Sequence, residues 1–241
     1  MMTAGARKDS GMKTIGLLGG MSWESTIPYY RTINRVVSGS LGGLHSAKIV
    51  LCSVDFEEIE KLQRGNEWDE AGRVLAGHAR KLEGAGADFL VLCTNTMHRV
   101  APQIEEAISI PLLHIADATA HAILANGIGS VGLLGTRFTM EQDFYRGRLE
   151  TDHGLRVITP DAQDREIVHR VIYEELCLGM VDDGSRREFV RIIDDLVRRG
   201  AEGVILGCTE IGLLVTPGFT SVKLFDTTEI HARAAAELAL S

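Results

Sequence analysis

The chain alternates short apolar runs with longer stretches of helical periodicity. The apolar runs are uninterrupted and have the length of strands. The stretches at 68–86 and 185–203 are amphipathic and close on glycine, as helices commonly do. Continuous apolar strands that alternate with helices predict an α/β fold with mostly parallel sheets covered on both faces. The predicted strands lie in 14–20, 47–54, 88–94, 111–116, 130–136, 156–160, 203–209 and 222–227.

The order of these elements repeats along the chain. "IGLLGG" at 15–20 resembles "VGLLGT" at 131–136, and "GADFLVLCTNT" at 86–96 resembles "GAEGVILGCTE" at 200–210. One such match is expected in any α/β protein, but two in the same order, displaced by 116 and 114 residues, favour a duplication. We therefore predict two pseudo-symmetric parallel-sheet domains with an active site in the cleft between them. The predicted limits are 12–112 plus 224–241 for the first domain, 113–223 for the second, and 1–11 for a disordered N-terminal extension.

The repeat also selects one residue of the segment "LVLCTNTM". Aligned without gaps, Thr94 is the equivalent of Cys208, and Cys93 is the equivalent of Gly207. Adjacent side chains of a strand point to opposite faces, so if Thr94 faces the cleft then Cys93 faces away from it. Ligands of parallel α/β sheets bind beyond the carboxyl ends of the strands, where these residues lie. Cys93, like Cys52 and Cys177, is interpreted as a packing residue.

Composition narrows the class of protein. The chain has 241 residues, 45% of them hydrophobic and 24% charged, which is typical of a soluble globular protein. A net charge of −8 without a Lys/Arg block argues against nucleic acid as a partner, and no apolar run has the length needed to span a membrane. Four dispersed cysteines without metal-ligand spacing favour reduced thiols, a cytoplasmic location and no metal site.

Four segments carry a resemblance to a known family: "GLLGGMSWEST" (16–26), "CTNTMH" (93–98), "GLLGTRFTM" (132–140) and "GCTEIGLL" (207–214). Over residues 12–241 the sequence resembles the cofactor-independent aspartate/glutamate racemases. The resemblance implies two α/β domains with the active site between them, no cofactor, and an amino acid as the small-molecule substrate. It is compatible with a homodimer, which the sequence does not establish.

Racemisation explains why two opposed groups are needed. The α-hydrogen leaves on one face and a proton returns on the other, which two groups can do without moving the substrate. The resemblance assigns Cys208 as an acid/base thiol, which a positive environment would help to ionise. The family has a second cysteine where this chain has Thr94. We therefore predict Cys208 as the main base and Thr94 as the proton donor, with helix capping as the alternative role of Thr94.

The same resemblance implies the substrate-binding residues. Arg165 corresponds to a basic residue that binds the side-chain carboxylate in family members. The position of a second basic residue falls near Glu57 and Glu58, which leaves a broader range of amino acids open. The carboxylate ligands are predicted to be Asn95, Thr96 and Thr209, and the other lining residues Met21, Ser22, Gln63, Thr136 and Thr139.

Other interpretations remain open. His98 is either a hydrogen-bonding helix residue or a proton relay, and Glu210 either caps a helix or tunes Cys208. Related enzymes with one thiol decarboxylate or isomerise acids, and a non-catalytic metabolite-binding protein is a third hypothesis. "GLLGG" lacks the GxGxxG spacing of a dinucleotide site.

Overall fold

The predicted strands form two four-stranded parallel sheets. The computed structural model describes residues 11–241, so the predicted N-terminal extension lies, apart from Gly11, outside the described residues. The strands are β1 Ile15–Gly19, β2 Ile49–Ser53, β3 Phe89–Leu92, β4 Leu112–Leu113, β5 Ser130–Gly135, β6 Arg156–Ile158, β7 Gly203–Gly207 and β8 Lys223–Asp226. The first sheet has the strand order β2-β1-β3-β4 and the second the order β6-β5-β7-β8. The α/β fold class is confirmed.

Helices connect the strands and cover the sheets. Aspartates cap several of them: Asp161, Asp182 and Asp226 each accept hydrogen bonds from backbone N–H groups of the first helical turn. Two 3₁₀ helices span Thr96–Val100 and Leu176–Leu178. The α-helices are α1 Trp23–Leu41, α2 Phe56–Arg64, α3 Trp68–Gly84, α4 Ala101–Glu105, α5 Ile115–Leu124, α6 Arg137–Glu141, α7 Arg146–Thr151, α8 Ala162–Glu174, α9 Asp183–Arg198, α10 Ile211–Leu214 and α11 Thr227–Leu240.

The strand register reproduces the sequence repeat. In the first sheet Ile15 of β1 pairs with Phe89 of β3, and in the second Val131 of β5 pairs with Gly203 of β7. These partners are related by the displacements of 116 and 114 residues seen in the sequence. The central strand pairs of the two halves are thus equivalent, and their carboxyl ends present equivalent positions.

The buried cores follow the two sheets. Strands β5 and β7 lie in one large apolar cluster, whereas the first sheet has a cluster on each face. One of these faces is covered by α1 and α11, where Tyr29 and Ile33 pack with Ala232 and Ala235. The chain therefore crosses between the halves after β4 and again after β8. The limits of the two domains stay a prediction.

Among residues 11–241, no helix combines the length and the apolar character that crossing a bilayer requires.

Candidate active site

A small cavity lies between the two sheets, at the carboxyl ends of their central strands. Its free volume is about 20 Å³, which is room for about one water molecule. Eight of the eleven predicted site residues line it. The lining residues are Met21, Phe56, Gln63, Thr94, Asn95, Thr96, Thr136, Ile172, Tyr173, Cys177, Gly207, Cys208, Thr209 and Glu210.

The segment after β3 places Thr94 in the cavity and Cys93 in the core. The Thr94 N–H donates to the Leu92 carbonyl over 2.9 Å, so the chain turns tightly as the strand ends. Cys93 is fully buried in the apolar cluster between the first sheet, α1 and α11. Burial raises the pKa of the Cys93 thiol. The structure thus brings Thr94 to the cavity that contains Cys208, and Cys93 away from it.

The segment after β7 carries a thiol and a carboxylate in contact. The Cys208 Sγ donates to Glu210 Oε2 over 3.0 Å, and the Thr209 hydroxyl donates to the same oxygen over 2.7 Å. The other oxygen, Oε1, accepts from the Ser22 hydroxyl over 2.7 Å. Because Ser22 belongs to the first half, this hydrogen bond joins the two halves at the cavity.

The electrostatic environment of Cys208 is not the positive one that would help to ionise its thiol. Burial and then the negative charge of Glu210, together with the nearby Cys177, raise the pKa of the Cys208 thiol well above its ordinary value. None of the described residues that line the cavity is a lysine, arginine or histidine. In this arrangement Cys208 therefore holds its proton.

Hydroxyl groups from both halves form a row along one wall. The Thr96 and Thr136 hydroxyls lie 3.0 Å apart, and Thr136 and Thr139 lie 3.2 Å apart. Thr136 also caps α6 by accepting from the Thr139 N–H. Thr139 is not among the lining residues, but it supports Thr136 from behind.

Asn95 has one satisfied and one unsatisfied polar atom. Its Nδ2 donates to the Thr227 hydroxyl over 3.0 Å, and that hydroxyl donates its own hydrogen to the Leu206 carbonyl over 2.9 Å. The orientation of the amide is therefore fixed, because Thr227 can only accept from Asn95. The Oδ1 of Asn95 is buried and has no hydrogen-bond partner among the described residues.

The structure does not bring Arg165 to the cavity. Its guanidinium donates to Glu141 over 2.8 Å and to the Pro160 carbonyl over 2.7 Å, and it is absent from the lining. Gln63 does line the cavity. Its Oε1 accepts from the Tyr173 hydroxyl over 3.0 Å, which joins α2 of the first half to α8 of the second.

Both ring nitrogens of His98 are engaged with backbone groups. The Ile115 N–H donates to Nε2 over 3.2 Å, so the hydrogen of the neutral ring is on Nδ1, which donates to the Thr94 carbonyl over 2.7 Å. Burial and the neighbouring His114 and His231 hold the pKa of His98 well below its ordinary value. These contacts favour the structural role of His98 over the proton relay.

Sequence reasoning left several lining residues out of the predicted site. Tyr173 follows Arg165 on the same helix, and Glu210 lies within the segment "GCTEIGLL" itself. Cys177 was interpreted as a packing residue of a helix, yet it faces the cavity from a 3₁₀ helix. Nothing in the sequence marks Phe56 or Ile172 as lining residues, because apolar residues of helices are common everywhere.

This arrangement defines a duplicated α/β protein with one polar cavity between its halves, and comparison with known proteins gives it a family. The sequence profile described as "Asp/Glu/Hydantoin racemase" matches residues 18–235. The chain belongs to this family.

Individual relatives cover nearly the whole chain. The broad specificity amino-acid racemase RacX of Bacillus subtilis (strain 168) is 30% identical over 230 residues, which are 91% of this chain and 95% of RacX. A candidate Asp/Glu racemase from Yersinia pestis has a crystal structure with a TM-score of 0.90 at 60% identity, covering 95% of this chain and 100% of that one. An aspartate racemase homologue from Pyrococcus horikoshii OT3 has a TM-score of 0.82 at 36% identity, with coverage of 95% and 100%.

Proposed function

We propose that this protein is a cofactor-independent amino-acid racemase that inverts the α-carbon by proton transfer between Cys208 and Thr94. The observation that carries the proposal is that these two residues follow equivalent strands of the two halves and line one cavity. Cys208 removes the α-hydrogen from one face, and the Thr94 hydroxyl supplies a proton to the other. Membership of the racemase family and the similarity to RacX support the reaction class.

The polar groups of the cavity suit an amino acid in one orientation. The free acceptor Oδ1 of Asn95 suits the α-ammonium group. One N–H of its Nδ2 donates to Thr227, and the second N–H can donate to the carboxylate that we predicted for Asn95. The hydroxyls of Thr96 and Thr136 can donate to the α-carboxylate, whereas the hydroxyl of Thr209, which we also predicted as a carboxylate ligand, already donates to Glu210. Hydrogen bonds to that carboxylate would stabilise the negative charge that develops when the α-proton leaves.

The side-chain subsite supports a wider range than aspartate and glutamate. A side-chain carboxylate needs a cation, and the described lining residues provide none. The neutral Gln63 and Tyr173 offer hydrogen bonds instead. We propose that small amino acids with uncharged polar side chains are turned over at least as well as aspartate and glutamate.

Substrate access requires the halves to separate. The free volume of about 20 Å³ cannot hold an amino acid. The Tyr173–Gln63 and Ser22–Glu210 hydrogen bonds cross between the halves at the cavity. We propose that they break on opening, and that closure excludes water from the reacting atoms.

Hydrogen exchange at the α-carbon tests this function. Proton NMR in D₂O would follow L- and D-aspartate, L- and D-glutamate and a neutral panel with the wild type, Cys208→Ala, Thr94→Ala and Cys93→Ala. We expect exchange with inversion, lost in Cys208→Ala, impaired in Thr94→Ala and unchanged in Cys93→Ala. A dead Cys93→Ala that still folds would contradict the assignment of Thr94.

The other two hypotheses have distinct outcomes in the same experiment. Loss of CO₂ or isomerisation of an acid without inversion would favour the decarboxylase or isomerase chemistry of a single thiol. Absence of exchange with every amino acid, combined with saturable binding, would favour a metabolite-binding protein.

A further inference from the structure

Glu210 is a buried carboxylate that the racemisation scheme above leaves without a role. It is 3% exposed and accepts three hydrogen bonds, from Ser22, Cys208 and Thr209. No described lysine, arginine or histidine pairs with it, whereas most other buried or half-buried carboxylates, such as Asp164 with Arg191, have a cation. A buried carboxylate without a cation costs stability. Its position beside the thiol calls for a functional explanation.

Cys208 can act as a base only after its own proton has left. In the described structure the one hydrogen bond of its Sγ goes to Glu210 Oε2, over 3.0 Å. The cavity offers no cationic side chain that would stabilise a thiolate. The carboxylate oxygen is therefore the acceptor that the geometry provides for the thiol proton.

We propose that Glu210 is a positioning residue that accepts the Cys208 proton when substrate binds, and so allows the sulfur to act as the base. The inference rests on the proposed racemase function. In the first step the Sγ–H bond breaks and an O–H bond forms on Oε2. The negative charge moves from the carboxylate to the sulfur, and the net charge of the pair does not change.

The remaining steps balance in the same way. The thiolate takes the α-hydrogen as a proton, the electron pair of the C–H bond stays on the α-carbon, and the Thr94 hydroxyl protonates the opposite face. Glu210 then carries one extra proton and Thr94 lacks one, and exchange with solvent restores both. The reverse reaction runs through the same steps backwards. Since the enantiomers have equal free energy in solution, kcat/KM must change equally in both directions.

The variant Glu210→Gln separates this role from a structural one, because it keeps the size and an acceptor oxygen but loses the basic carboxylate. We expect kcat for racemisation to fall roughly 100-fold or more, with KM within about three-fold of the wild type. We also expect Cys208 to react faster with iodoacetamide at a fixed pH near 8, because removing the negative charge lowers the pKa of its thiol. Mass spectrometry of the Cys208 peptide measures this reaction separately from the other cysteines.

Slower racemisation combined with a faster reaction of Cys208 with iodoacetamide supports the proposal. Glu237→Gln provides a matched control on an exposed face of α11, and it should change neither rate. If Glu210→Gln keeps kcat within about three-fold of the wild type, or slows both reactions together, the proposal is wrong.

A conservative variant covers the case in which Glu210→Gln does not fold, as judged by circular dichroism. Glu210→Asp keeps the carboxylate but withdraws it from Sγ by one methylene. Slower racemisation by about ten-fold, with thiol reactivity close to the wild type, supports the proton-accepting role. A full wild-type rate overturns it. If the wild type exchanges the α-hydrogen of no amino acid, the proposed function is wrong, and this inference with it. If the wild type exchanges the α-hydrogen and Glu210→Gln does so at an unchanged rate, only this inference is wrong.

Discussion

The segments after β3 and β7 occupy equivalent positions and carry different chemistry. Thr94, Asn95 and Thr96 present hydroxyl and amide groups, whereas Cys208, Thr209 and Glu210 present a thiol and a carboxylate in contact. The strand registers of the two halves correspond, so the scaffold alone makes the cavity symmetric. Equivalent strand ends of the two halves thus bring unlike groups to one cavity, a hydroxyl at Thr94 and a thiol at Cys208.

The residues that precede these segments differ for a packing reason. Cys93 has room for its side chain in the core between the first sheet, α1 and α11. At the equivalent Gly207, an added Cβ would lie 2.7 Å from the Leu134 carbonyl oxygen and 3.0 Å from Leu133. The first half can therefore keep a cysteine there, and the second half cannot.

The support behind the two segments differs as well. Behind Thr94 lie three buried histidines, with the His98 and His114 rings 4.4 Å apart and the His98 and His231 rings 5.9 Å apart. Behind Cys208 the cluster is aliphatic and aromatic, with Ile211 and Leu214 nearby. Five predictions test the comparison, in order of decreasing effect.

The variant Cys208→Thr would make the two segments alike and should cause the largest loss. A hydroxyl hardly ionises at neutral pH, so we expect α-hydrogen exchange to fall roughly 1,000-fold. Proton NMR in D₂O measures the exchange, and Cys93→Thr serves as a control for a threonine at the packing position. More than about a tenth of the wild-type rate in Cys208→Thr would show that the thiol is dispensable.

Acid should destabilise the first half through its histidines. Burial holds the pKa of His231 at about 4 in the folded protein, below the value of about 6.5 in an unfolded chain. The contribution of neutral His231 is thus complete above about pH 6.5 and is lost as the pH falls towards 4, which amounts to about 3 kcal/mol of the free energy of unfolding. Urea titrations across this range measure it. His231→Gln should flatten the pH dependence and the exposed His45→Gln should not, and equal slopes in both variants would refute the assignment.

The variant Gly207→Ala should lower the free energy of unfolding by about 1–3 kcal/mol, because the added methyl group has no space beside the Leu134 carbonyl. Gly77→Ala is the matched control: Gly77 lies within α3 and an added Cβ meets nothing within 4 Å. We expect the control to be neutral or stabilising. Denaturant unfolding compares the two, and a harmless Gly207→Ala would mean that the strand end adjusts.

The variant Thr94→Cys would place a thiol on both sides of the substrate. We expect kcat to rise by up to about ten-fold, because a thiol exchanges protons more readily than a hydroxyl at neutral pH. Racemisation followed by polarimetry measures the change. A large loss of activity in a folded Thr94→Cys would indicate that the hydroxyl binds the substrate and does not transfer the proton.

The smallest effect is expected for Arg165→Gln. Because Glu141 and the Pro160 carbonyl already hold the guanidinium, KM for aspartate should change by less than about two-fold. Serine provides the uncharged comparison substrate. A rise in KM for aspartate alone would show that Arg165 reaches the cavity in the bound state.

The sequence predicts the structure correctly where the local hydrophobic pattern and the internal repeat agree. The eight strands, their parallel arrangement and the presence of Thr94 and Cys208 at one cavity follow from apolar runs, glycine ends and an ungapped internal alignment. The alternation of side chains along a strand correctly predicted that Cys93 lies in the core, even though the chain turns at Thr94.

The features of the site that the sequence did not predict depend on contacts between distant segments. The Ser22–Glu210 and Gln63–Tyr173 hydrogen bonds join residues 188 and 110 positions apart, and no periodicity encodes them. The charge environment of Cys208 could not be predicted for the same reason, since it depends on which side chains the fold leaves out of the cavity. The position predicted for Arg165 depended on spacing alone, and its partner Glu141 comes from another helix.

Helix α11 gives the protein an order of assembly. This helix, Thr227–Leu240, packs on α1 and completes one face of the first sheet, although it follows all eight strands along the chain. The first half therefore cannot finish folding on the ribosome when its own strands emerge, whereas the core around β5 and β7 can close earlier, once β8 is made. Until then α1 exposes the apolar face that carries Tyr29, Ile33 and Val37, and a nascent chain stalled before residue 227 is the form most exposed to aggregation.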